Sequence, residues 1–170
     1  MAYYDIGVAD VRLSRITDAE WAFRKSIEVS AGQNATPLFG LGGVLDIQGK
    51  FDEAEEVTRR GLYLEPTAWN GHYYLGLALY NLNRLEEAEK SVRESLRRKT
   101  NSPMVLGLLA NIHCREQNYH ACFDDLNTYL RLDPDSSKGV EVRAIRDIVQ
   151  RFLARIPVSE NSGALAAPQP

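Results

Sequence analysis

Reactive and cofactor-holding residues are scarce in this sequence. Its 170 residues include two cysteines, two methionines, two tryptophans and three histidines. Two cysteines do not make the disulfide framework of a small secreted domain. No glycine-rich phosphate loop, dinucleotide fingerprint or acid–base pair is singled out by spacing. Nor does one sign of charge dominate: 20 Lys and Arg stand against 23 Asp and Glu, a net charge of −3 with a pI near 5.7. A dedicated nucleic-acid binder is excluded, because neutralising phosphates needs a concentrated basic surface. The basic clusters Arg59-Arg60 and Arg97-Arg98-Lys99 follow acidic stretches and read as charge complements at helix C-termini. No apolar run, Val105 to Ala110 among them, approaches the ~20 residues of a membrane span, so no membrane insertion is expected. Met1 to Asp5 shows no basic segment leading into a hydrophobic one, so no leader is expected and the cytoplasm is the default compartment.

A fixed period is what the sequence does have. A small-residue column reads Gly7, Gly42, Gly76, Ala110, and a second reads Ala19, Ala54, Ala88, Cys122, each with spacings of 35, 34 and 34. A large apolar column, Ile6, Leu41, Leu75, Leu109, lies one residue ahead of the first. A fourth, Ile16, Phe51, Leu85, Tyr119, lies three ahead of the second. Self-similarity at this period predicts an all-α solenoid of stacked helix pairs.

Each unit reads as two helices joined by a short turn. In the second, Thr36 is expected as N-cap with Pro37 at the first helical position, and Gly49-Lys50 breaks the helix. Asp52 to Glu55, like Thr17 to Glu20 in the first unit, is expected to cap the second helix. Glu65-Pro66 ends it. Four units are expected at about 1–34, 35–68, 69–102 and 103–136. An amphipathic capping helix follows at about 137–155, with Val142, Ile145, Val149, Phe152 and Leu153 as its apolar stripe. The tail 157–170, rich in Ser, Gly, Ala and Pro, is expected to be disordered.

These columns resemble the tetratricopeptide repeat family. Its pattern reads here as Leu41-Gly42, Leu45, Ala54, Gly61-Leu62, Pro66, and again as Trp69, Leu75-Gly76, Leu79, Ala88, Ser95-Leu96. A looser version is Leu109-Ala110, His113, Cys122, Leu130, Pro134. Asp10, Thr58 and Tyr129 depart from it. The resemblance implies a right-handed α-solenoid whose first helices line a concave, partner-binding face, and no cofactor.

That surface is expected to comprise Tyr4, Phe39, Asn70, Tyr73, Leu77, Tyr80, Met104 and Asn111. Aromatics bring contact area at low entropic cost, which suits a peptide or helix with apolar anchors. Family members that clamp the acidic C-terminal tails of chaperones do so with Lys, Arg and Asn. Here the matching places hold Tyr4, Val8, Phe39, Gly43, Tyr73 and Leu77, so that partner class is not expected.

His113, Cys114, His120 and Cys122 gather zinc-type ligands in one unit. Two of them occupy packing columns and their spacing matches no ligand motif, so no metal is expected. A Cys114–Cys122 disulfide is sterically conceivable but not the favoured reading. The sequence therefore points to a non-catalytic protein–protein interaction module. Its alternatives are the repeat portion of a larger enzyme or of a secretion or assembly protein truncated at Met1, and a homodimer formed through an uncapped N-terminal end.

Overall fold

The computed structural model describes residues 2–155, and the expected disordered tail lies outside them. The described residues form nine α-helices in the order α1 (Ala2–Arg12), α2 (Ile16–Val29), α3 (Ala35–Ile47), α4 (Phe51–Leu64), α5 (Trp69–Asn81), α6 (Leu85–Arg98), α7 (Pro103–Arg115), α8 (Tyr119–Leu132) and α9 (Ser137–Leu153). Odd-numbered helices α1 to α7 are the first helices of four successive pairs. Each packs on its own partner and on the next pair, so the contacts run along the chain as in a solenoid.

The turn inside every pair is the same backbone device. Ser14, Gly49, Asn83 and Gln117 take positive φ, 58°, 75°, 61° and 62°. The next amide in each case, of Arg15, Lys50, Arg84 and Asn118, donates to a carbonyl five residues back, on Asp10, Leu45, Leu79 and His113, at 2.8–2.9 Å. This is a Schellman closure, and it satisfies carbonyls that the helix end would otherwise leave open. The second helix then starts at once, at Ile16, Phe51, Leu85 and Tyr119. The capping boxes expected at Thr17 and Asp52 are not formed. The N-caps are Arg15 and Lys50, without side-chain caps, because the turn itself fixes the start. For α3 the cap is Asn34, whose side chain accepts from the Thr36 amide at 3.0 Å, so Thr36 lies inside the helix.

The small columns mark close helix crossings. A Cβ on Gly76 would come within 2.5 Å of Val92 Cγ2. Two rings exploit paired glycines. Phe23 fills the space beside Gly7 and Gly40, and Phe39 the space beside Gly61 and Gly71, where added Cβ atoms would lie 2.5–2.7 Å from the rings. On the outer surface the pairs are laced by charge. Glu20 meets Lys50 at 3.3 Å, Glu55 meets Arg84, and Glu89 meets His113 at 3.1 Å, each contact crossing from one pair to the next. The Lys50 and Arg84 side chains are solvent-exposed, so those two pairs align neighbours more than they stabilise them, whereas His113 is buried.

Thr58 stands in the same place as Phe23 and Val92 and is fully buried, and its hydroxyl has no hydrogen-bond partner. Val is its isostere without the orphan group. We expect Thr58→Val to raise stability by about 1 kcal/mol in urea unfolding. Destabilisation would show that the hydroxyl is satisfied.

Candidate functional site

The first helices place one face toward a shared concavity. Its first basin, about 520 Å³, is lined by Tyr4, Val8, Phe39, Asn70, Tyr73, Tyr74, Leu77 and Met104, among others. A second basin of about 540 Å³ is lined by Tyr73, Leu77, Met104, Asn111, Tyr129 and residues of α9. Tyr73, Leu77 and Met104 border both, so the basins form one groove with a shared apolar ridge.

Seven of the eight expected groove residues line these basins, and they do so differently. Tyr4 is half-buried, its ring 5.8 Å from that of Phe23. Asn70 uses its Oδ1 to accept from the Gly71 amide at 3.1 Å, which leaves its amide group to face the basin. Tyr73 and Tyr74 meet edge to face, with centroids 5.3 Å apart. Burial, with smaller effects of Tyr74 and Asp46, pushes the Tyr73 phenol up to about 12, so it stays a neutral donor. Met104 and Asn111 are exposed.

Phe39 is 1% exposed and forms the floor of the first basin. It supports the groove from within the core and offers a partner no edge. Tyr80 borders neither basin. Its ring lies 5.0 Å under the Arg115 guanidinium, and its carbonyl accepts from Arg115 Nη1 at 3.1 Å. That neighbour comes from the next pair, 35 residues on, which explains why a face assignment within one helix misplaces Tyr80.

Two contributors escape the sequence reading. Tyr74 lies over Gly43, where a Cβ would come within 2.8 Å of its ring. The glycine breaking the column Val8, Gly43, Leu77 is the signal for it. The second is α9, expected only as a cap: Lys138, Glu141, Val142 and Ile145 make a wall of the second basin. Burial raises the Asp46 carboxyl above the usual range, and Asn81 Nδ2 donates to it at 2.9 Å.

The suspected zinc cluster resolves into other chemistry. Cys114 and Cys122 are joined as a disulfide, with Cα atoms 5.2 Å apart, against the favoured reading of free, packed thiols. The α7–α8 crossing at the turn brings them together, and neither sulfur is then a metal ligand. His113 is buried between two carboxylates, with Nδ1 2.6 Å from Asp125 Oδ2 and Nε2 3.1 Å from Glu89 Oε1. Asp125 of α8 is drawn into this contact. Glu116 also approaches Glu89 and His113, but Arg93 sits on Glu89 Oε1 at 2.6 Å and already supplies the cation.

Residues 48–103 match the family model described as tetratricopeptide repeat. That segment is of tetratricopeptide repeat type, and its helix pair recurs through the described residues. No curated protein matches its sequence. Solved structures agree on the architecture. The APC/C hetero-tetramer Cut9-Hcn1 is similar at a TM-score of 0.75 and 18% identity, over 82% of this chain and 28% of that one. MamA is similar at 0.67 and 17% identity, over 99% and 97%. The pilF protein of Pseudomonas aeruginosa is similar at 0.76 and 20% identity, over 90% and 69%. At these identities the likeness shows the fold. The tetratricopeptide repeat is a protein-interaction repeat module, and no helix among the described residues is long and apolar enough to cross a membrane.

Proposed function

We propose that this repeat protein is a non-catalytic adaptor that seats a peptide or helical segment with apolar anchors along its concave groove. The observation that carries the reading is the pair of basins sharing Tyr73, Leu77 and Met104, which offers two apolar seats in line. Tyr73 and Leu77 of the ridge pack on the core shared by α5 and α7 before a partner arrives, so little receptor ordering opposes binding. The available cations, Arg12 in the first basin and Lys138 in the second, are at different basins, and Lys138 is held by Glu141 at 2.7 Å. They form no clamp for adjacent carboxylates, which again disfavours a chaperone's acidic tail.

Selection of displayed random peptides on the folded chain tests this. Sequences with two apolar anchors are expected. Their affinity should fall at least about 30-fold in Leu77→Glu/Met104→Glu, since two anchor contacts of this kind carry about 2 kcal/mol or more. Enrichment of acidic C-termini, or equal binding by the variant, contradicts the reading.

A second reading has support at the N-terminal end. Tyr3, Ile6, Leu13 and Trp21 are exposed there, Trp21 at 54%, whereas Leu38 and Leu41, which match Tyr3 and Ile6 one unit on, are buried. Such a face fits the repeat portion of a larger enzyme or assembly protein, with a preceding helix covering it. An open reading frame that continues upstream of Met1 with the same columns supports this, and an immediate upstream stop codon contradicts it.

A further inference from the structure

The repeat register continues into α9 and breaks there at two positions. Arg143 and Arg146 fall 34 residues after Leu109 and Ile112 and 68 after Leu75 and Ala78. Those four residues are all buried. On α7, Leu109 and Ile112 join one apolar cluster with Ala88 and Val92 of α6, the second helix of the preceding unit. On α9 the two arginines instead line a furrow of about 610 Å³ against α8, which contributes Asp124, Asn127, Thr128 and Arg131. The last helix of an array favours polar residues on its outer face, but Val140 and Ile148 stay apolar and exposed on the same helix. The change at 143 and 146 is therefore local to the furrow.

The three guanidinium groups are poorly provided with anions. Arg131 Nη2 donates to Thr128 Oγ1 at 3.0 Å and Arg143 Nη2 to the Pro134 carbonyl at 2.9 Å, both uncharged acceptors. Arg146 Nε lies 2.8 Å from Asp147 Oδ1, yet it is buried without a hydrogen-bond partner. Asp124 lines the furrow and forms no ion pair with the three among the described residues. By contrast, Arg24, Arg59, Arg84 and Arg93 each meet a glutamate. Three arginines against Asp124 and Asp147 leave the furrow at +1, in a chain whose net charge is −3.

We propose that this furrow is a second recognition surface, which takes an acidic internal segment of a partner protein. Arg131, Arg143 and Arg146 would pair its side-chain carboxylates, which planar guanidinium forks match two oxygens at a time. Asn127, half-buried between them on α8, supplies a donor and an acceptor for the segment's backbone. A nucleic-acid strand is disfavoured, because three cations on a net-negative chain release too few counterions to hold it. The furrow is also far larger than one inorganic anion. It uses different faces of α8 and α9 from the groove, which takes Leu126 and Tyr129 from α8 and Val142 and Ile145 from α9. The inference therefore does not depend on what the groove binds.

Fluorescence anisotropy on the full chain at low ionic strength tests it. The probe is a short labelled peptide of Glu and Asp, blocked at both ends so that it has no terminal carboxylate. Arg131→Gln/Arg143→Gln is compared with Arg60→Gln/Lys90→Gln, which removes the same charge from exposed positions elsewhere, and with Leu77→Ala/Met104→Ala in the groove. Circular dichroism checks that each is folded. The furrow variant should weaken binding at least about five-fold, the sum of two exposed charge pairs. The other two variants should bind like wild type, the Gln and Asn version of the peptide should not bind, and added salt should weaken the complex. No binding by wild type overturns the proposal. So does equal weakening by Arg60→Gln/Lys90→Gln, which would reduce the effect to overall charge. Loss of binding in the groove variant alone would place the acidic segment in the groove. An oligothymidylate bound more tightly than the peptide, with the same arginine dependence, would make the furrow a nucleic-acid surface.

Discussion

Phe39→Ala is expected to lower the stability of the free chain by about 3–5 kcal/mol, the range for removing a fully buried aromatic ring. In a chain of this size that is a fall in Tm of roughly 10 °C or more. The ring is 1% exposed, with Gly61 and Gly71 against it from α4 and α5. Those glycines leave a slot that only a ring fills, and Ala cannot collapse it because the backbones are held by their own helices. The hollow would open into the first groove basin, whose floor Phe39 forms. Phe39→Leu, which keeps much of the volume, should recover most of the loss. The readout is thermal unfolding without any partner. A variant that melts like wild type and loses only partner binding would show that Phe39 is a contact residue.

The second large effect is at His113. His113→Ala removes a side chain that is 3% exposed, together with its hydrogen-bond contacts with Asp125 and Glu89, and should cost about 2–4 kcal/mol at neutral pH. The cost should depend on pH with a definite sign. Burial raises the Asp125 carboxyl, and the bond and charge of His113 hold it down only in part. Without His113 an ionised Asp125 loses that support, and the penalty disappears once acid protonates it. For Glu89, burial acts upward but the bonds from His113 and Arg93 outweigh it and hold the carboxyl below its ordinary value. A depressed carboxylate stabilises the fold above its unfolded pKa, and that contribution is lost as pH falls through the folded value. Both groups therefore predict that the gap in Tm between wild type and His113→Ala narrows from pH 7 toward about pH 4. A gap constant over that range would reduce His113 to a packing residue.

These two sites also show what sequence could and could not convey. The repeat period was readable because helix crossings discriminate side-chain size: Gly42, Gly76 and Ala110 recur for a steric reason that any reader of the column can apply. The turn at Gly49 was placed correctly, but the caps were not. The next helix is started by backbone bonds to Leu45, Leu79 and His113, and backbone bonds leave no residue signature. The face of each first helix was legible from spacing, which brought Tyr4, Asn70, Tyr73, Leu77, Met104 and Asn111 to the groove. Depth was not. Whether Phe39 is floor or rim is decided by glycines 22 and 32 residues away, and Tyr80 is engaged by an arginine from the next unit. The partnership of His113 with Asp125 and the Cys114–Cys122 bond likewise depend on how α7 crosses α8. The wall contributed by α9 was missed because a helix read as a cap is assigned one buried face, and this one borders the groove as well.

The most direct test of the groove is affinity capture from a lysate of the source organism. It compares wild type with Leu77→Glu/Met104→Glu and with Tyr63→Glu, a control at an 87% exposed position outside both basins. Circular dichroism should show all three folded. The account predicts a partner retained by wild type and Tyr63→Glu and lost by the groove variant. A partner captured equally by the groove variant would place recognition outside the concave face and contradict it.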